Sequence, residues 1–137
     1  MEYDLTRNVD VVSELGMADR DGSATFNGVG IDTNEFESIV FLCCLFDNFS
    51  GDQLTFNVQD SDDNSTFALI ADDELFGTNG TFVADNANRM MRLGAIATRR
   101  YIRISLTIIG NSGPNRTAAY AVTHNHKHTP RAETPEP

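Results

Sequence analysis

The only histidines of this 137-residue chain are His124, His126 and His128, and they recur at a spacing of two. Side chains alternate sides along an extended segment, so the three would share one side, a geometry that can grip a transition metal. In a polar stretch such as this one, solvated histidines are the commoner outcome. A second pattern, Asp60-Ser61-Asp62-Asp63-Asn64, has the ligand spacing of a calcium loop. Position 65 is Ser where that loop turns on Gly, and the twelfth position is Ala71 where it needs Glu. A solvated hairpin turn is the better reading, and neither metal nor cofactor is expected.

Nucleophilic catalysis requires a base beside Ser or Cys, and with all three histidines in one stretch a triad is not expected. Phosphate-binding loops are missing, since neither Gly-x-Gly-x-x-Gly nor Gly-Lys-Ser/Thr occurs. The 20 acidic residues are too numerous for any one carboxylate pair to stand out as a glycosidase site. Cys43 and Cys44 are adjacent, so on a strand they point to opposite faces; they read as small core hydrophobes, not as a disulfide. The chain is therefore not expected to be an enzyme.

The elements that would carry these residues are strands. In Tyr101 to Ile109, Ile102, Ile104, Leu106 and Ile108 share one face; in the next clear case Leu54, Phe56 and Val58 alternate with Thr55, Asn57 and Gln59. Ile39 to Phe46 lacks alternation, which implies a central strand covered on both faces or a strand whose outer face another subunit buries. Weaker strands are expected over 24–31, 66–70, 81–84, 89–97 and 117–123, separated by turn signals such as Asp21-Gly22 and Asn79-Gly80. About eight short antiparallel strands at this spacing predict an all-β, two-sheet sandwich, with a jelly roll as its topology. Helix is minor: Val9, Val12 and Leu15 could line a turn or two, and Asp72 to Phe76 one more.

Residues 21–123 are assigned to the sandwich and residues 1–20 to an N-terminal arm. Residues 124–137 hold three of the four prolines and no aliphatic side chain larger than alanine's, the composition of an extended tail that could reach roughly 45 Å. The longest apolar run has eight residues, against about 20 for a membrane span. Neither a basic segment nor an apolar one opens the sequence, so synthesis and folding in cytoplasm are expected, and the four Asn-x-Ser/Thr sequons read as turns.

Through Asp85, 18 acidic residues stand against Arg7 and Arg20, a balance of −16. From Asn86 onward eight basic residues face Glu133 and Glu136, a balance of +6. A nucleic-acid surface would need a basic excess, so no direct nucleic-acid contact is expected. A module with an acidic side and a basic docking side fits, unless folding interleaves the halves.

Five segments in order carry a resemblance: Arg7-Asn8-Val9-Asp10-Val11-Val12, Gly28-Val29-Gly30-Ile31-Asp32-Thr33, Ser38 to Phe46, Gln59 through the Ser61-Asp62-Asp63-Asn64-Ser65-Thr66-Phe67 turn, and Arg99-Arg100-Tyr101-Ile102-Arg103. Their order and spacing over residues 7–125 resemble the decoration, or cement, proteins of tailed-phage heads. That resemblance implies a non-enzymatic β-sandwich on the outer surface of the capsid, bound to the major capsid protein and to other copies of itself as a trimer. It carries no catalytic residues. The partner-binding residues expected on this reading are Arg7, Phe41, Leu45, Arg99, Arg100, Arg103, His124, His126, His128 and Arg131. A lectin-like adhesive module, with Phe49 beside Asp47, Asn48 and Asp52 as its local sugar platform, is the alternative, followed by a connector or tail protein of the virion.

Overall fold

A computed structural model describes residues 9–20, 24–36, 38–46, 53–71, 74–76, 80–82, 89–96, 98–110 and 115–124. The strands are β1 Val9–Arg20, β2 Ala24–Asn27, β3 Ile31–Asp32, β4 Ser38–Leu45, β5 Gln53–Ser61, β6 Ala68–Leu69, β7 Leu75–Phe76, β8 Gly80–Phe82, β9 Arg89–Ala95, β10 Tyr101–Ile109 and β11 Asn115–His124. A 3-10 turn at Thr33–Glu35 follows β3 and is capped by the Asp32 carboxylate, which accepts from the Asn34 amide at 3.0 Å. Among the described residues no helix is long and apolar enough to cross a membrane.

All pairings are antiparallel. One sheet, here sheet A, has the order β1-β11-β4-β9-β7. In sheet B, β10 and β5 form the middle, β2 and β3 both pair with the free side of β10, and β6 and β8 both pair with β5. The fold is thus an all-β two-sheet sandwich. Among the described residues eleven strands stand in place of the expected eight: β1 and β7 lie where an arm and a helical turn were expected, and the strand expected over 24–31 is split into β2 and β3.

The alternation read from the sequence in β10 and β5 sets the core. Ile102, Ile104, Leu106 and Ile108 of β10 and Leu54, Phe56 and Val58 of β5 are fully buried, facing Phe41, Cys43 and Leu45 of β4 and Leu93 of β9. Each such side chain contributes about 1.5–3 kcal/mol of burial.

Two expectations are corrected. Residues 9–20 are not part of an arm and form no helical turn; they are the 12-residue edge strand of sheet A, paired with β11. Register shifts fall between Ser13 and Leu15 and between Leu15 and Ala18; the first brings Val12 and Leu15 onto the core side at a three-residue step, whereas Val9 and Val12 lie in regular register on opposite faces. The charge halves are also interleaved. β1 pairs with β11, β4 with β9 and β5 with β10, so the long acidic-half strands lie against basic-half strands.

Glu14 is the extra residue of the first bulge, and its side chain is buried between the sheets. Along β10, β3 pairs with Tyr101–Ile102 and β2 with Ser105–Ile108, leaving the Ile104 amide without a ladder partner from either strand. Glu14 Oε1 accepts that N–H at 2.8 Å, while Gly28 N–H donates to the Ile104 carbonyl at 2.9 Å. A Cβ on Gly28 would lie 2.5 Å from Oε1, so only glycine lets the carboxylate through. Among the described residues Oε2 has no hydrogen-bond partner. Burial raises the Glu14 pKa to about 7, against the lowering pull of the Ile104 and Val29 amides and Arg103.

Folding therefore favours the protonated acid. Its contribution is fully present below about pH 4.5 and is lost as pH rises through about 7, a change of at most about 3 kcal/mol. Urea unfolding of the wild type and Glu14→Gln at pH 5 and pH 8 should show the variant gaining about 1–3 kcal/mol relative to wild type at the higher pH. A difference independent of pH would contradict the assignment.

Candidate docking face

Strand register places the outward side chains of sheet A in rows. The first row crosses all five strands: Val11 on β1, Val122 on β11, Val40 on β4, Gly94 on β9 and Phe76 on β7. The second holds Ser13, Tyr120, Leu42 and Arg92, and the third holds Ala118 and Cys44, both buried, and the exposed Met90. Val11 is 65% exposed, Phe76 64% and Met90 62%, with Val40, Leu42, Tyr120 and Val122 half-buried between them. An apolar band of this continuity is uncommon on a surface that meets only water.

Gly94 leaves a gap in the first row, and Phe76 leans across it: a Cβ on Gly94 would meet the ring at 3.2 Å. Beside this gap lies an open recess of about 420 Å³, walled by Val40, Phe76 and Gly94 with Ser38 and Arg92 among its lining residues.

Sheet B presents the opposite character. Its outward rows are Thr25, Thr107 and Thr55, then Asn27, Ser105 and Asn57, then Arg103, Gln59 and the exposed Leu69. These groups bond to one another: Ser105 Oγ donates to Asn27 Oδ1 at 2.9 Å, and Arg103 Nε donates to Gln59 Oε1 at 2.9 Å. The middle rows of sheet B are polar, with exposed Leu69 and Ile109 at its margins, whereas the apolar row of sheet A crosses the whole sheet.

The expected contact residues scatter over both sheets. Phe41 and Leu45 are corrected outright: both are 0% exposed and point into the core. The surface of that apolar run is carried by the alternate residues Val40 and Leu42, which its lack of alternation hid. His124 ends β11 opposite Ser38, at the margin of the apolar face. Arg7, His126, His128 and Arg131 lie outside the described residues, as do Asp47, Asn48, Phe49 and Asp52.

Arg99, Arg100 and Arg103 cluster at one end of sheet B and are engaged within the chain. Arg99 is 3.7 Å from both Asp60 and Asp62, and Arg100 Nη2 is 3.1 Å from Asp32 Oδ2. Arg103 stacks over Phe67 at 3.9 Å from the ring centroid. Gly30 packs against Asn64 and Phe67, with no room for a Cβ. Three of the segments that carry the resemblance therefore meet in one corner, where they clasp the strands together.

The calcium-like run belongs to the same corner. Asp63 Oδ1 accepts from the Ser65 and Thr66 amides and from Ser61 Oγ, each at 2.9 Å, and these bonds hold its pKa below the usual carboxylate range. Ser61 Oγ in turn accepts from the Asp63 and Asn64 amides, and Asn64 takes the positive φ of 60° that closes the turn. Cys43 lies in the core and Cys44 on the outer side of sheet A; both thiols are free, and burial raises both pKa values.

Compared with known proteins, the chain matches no family model and no curated sequence. The resemblance to decoration proteins rests on the motifs alone.

Because Asn64 and Phe67 are both held by neighbours, Gly30→Ala should displace the corner and lower stability by about 1–3 kcal/mol in urea unfolding. An unchanged midpoint would show that the turn yields freely.

Proposed function

We propose that this chain is a non-enzymatic structural module that docks on the outer surface of a tailed-phage capsid and cements its capsomers. The observation that carries this reading is the apolar row running from Val11 through Val40 to Phe76 across the full width of sheet A. The strand orders β1-β11-β4-β9, with β7 added at the edge, and β2/β3-β10-β5-β6/β8 support a jelly roll, the topology we propose for the domain.

The physical task of a cement protein suits such a face. A capsid holding packaged DNA is pushed outward, and a module lying across a joint between capsomers adds buried area that rupture must expose. Standard interfaces bury about 800 Å² per partner, and even modest affinity accumulates over many sites. Sheet A supplies area for docking, while the hydrogen-bonded polar rows of sheet B suit a surface left facing solvent. Contacts between copies, in the threefold clusters that the motifs imply, would add to the same function.

Co-sedimentation with expanded capsids of the same source tests the reading. Val11 and Met90 are both mostly exposed, so Val11→Lys with Met90→Lys should alter stability little. The double variant should lose at least about tenfold in capsid occupancy, two buried lysines being hard to desolvate at a docked face. Wild-type occupancy of the double variant would contradict the assignment of this face, and capture by glycan-coated beads without capsid binding would favour the lectin alternative.

A further inference from the structure

Of the arginines whose side chains are described, five are engaged within the chain. Arg20 donates to Thr117 and stacks on Phe26, Arg99 and Arg100 face aspartates, Arg103 binds Gln59 and Phe67, and Arg116 pairs with Asp19. Arg92 differs. Among the described residues it has neither a carboxylate nor a ring as partner, although it projects from the apolar outer face of sheet A.

Its position is specific. Arg92 sits two residues before Gly94 on β9, on the same outward side, and lines the recess walled by Val40 and Phe76. Phe76 packs over the place where Gly94 lacks a side chain, and the recess lies beside that contact. At about 420 Å³ it lies toward the lower end of the roughly 300–1,000 Å³ of binding pockets. It is open, however, and continuous with the flat apolar row that reaches Val11. A free small molecule would be left largely uncovered there, whereas a protein surface laid on sheet A would seal the recess.

We propose that this recess is the anchor point of the docking face, and that it takes a partner segment presenting an aliphatic or aromatic side chain beside a carboxylate. This inference rests on the docking-face reading and names the partner chemistry it selects. The apolar side chain enters between Val40 and Phe76. The carboxylate meets the Arg92 guanidinium, whose planar fork binds carboxylates in bidentate fashion and gains strength as the docked surface excludes water. Charge complementarity fixes the register of a partner that an apolar band alone would leave free to slide.

Amide chemical-shift titration of the full chain with three probes tests the proposal. N-acetyl-L-leucine carries both groups, N-acetyl-L-leucinamide lacks the charge, and inorganic phosphate lacks the apolar part. N-acetyl-L-leucine should shift the Val40, Arg92 and Gly94 amides saturably, with the millimolar affinity expected of so small a probe. The leucinamide should bind at least about fivefold more weakly, and phosphate should leave Val40 and Gly94 unmoved. Arg92→Gln should reduce N-acetyl-L-leucine to the level of the leucinamide, with Arg92→Lys intermediate; both sit on an exposed position. Equal binding of the two leucine probes, an equal response to phosphate, or no saturable response would overturn the proposal. If it is overturned while the Val11 and Met90 substitutions still abolish capsid binding, the docking face stands and only the anchor falls.

Discussion

Strand β4 runs down the middle of sheet A with apolar side chains on both sides, and a two-layer sandwich can cover only one of them. Ile39, Phe41, Cys43 and Leu45 are buried against sheet B, which leaves Val40 and Leu42 facing outward beside Val122 and Tyr120. The inner side builds the core, and the outer side carries the apolar band on which the proposed docking rests. The two outer faces differ across their middles: the central rows of sheet B hold threonine, asparagine and glutamine, some of them hydrogen-bonded to neighbours in the sheet, while sheet A carries a band that water solvates poorly.

The edges hold this arrangement in place. Long, regular edge strands invite pairing with other chains, and β1 is long, but its two bulges interrupt the ladder that a second chain would need. The first bulge also delivers Glu14 to the gap in sheet B, so one irregularity both blunts an edge and ties the sheets together. At the other end of β10, Asp32, Gly30, Asn64, Phe67 and the arginines at 99, 100 and 103 lock loops that would otherwise splay. This leaves the face of sheet A, not its β1 edge, as the surface that the proposed docking would use.

The sequence made the central strands legible because their side chains alternate with few exceptions. Tyr101–Ile109 has the bounds expected, and the buried side of β5 is the one its leucine, phenylalanine and valine define. β4 was legible as a strand but not in its facing, since Phe41 and Leu42 are both apolar and only the pairing with β11 and β9 decides which points in. β1 was hidden by its bulges. Glu14 was hidden because an acid in mid-strand reads as exposed, and nothing local announces an unpaired amide 90 residues away. The charge segregation along the chain was real but did not survive folding, because antiparallel pairing brings distant segments together. The arginine motif was visible as a motif, and its role in clasping the corner depends on aspartates that only the fold places beside it.

Hydroxyl-radical footprinting of the protein, free and bound to expanded capsids, tests the central claim most directly, since it reports side chain by side chain which face is covered. Protection concentrated at Val11, Phe76 and Met90, with Thr25, Leu69 and Ile109 of sheet B reacting as in the free protein, is the predicted result. Protection of sheet B with Phe76 and Met90 still reactive would contradict it.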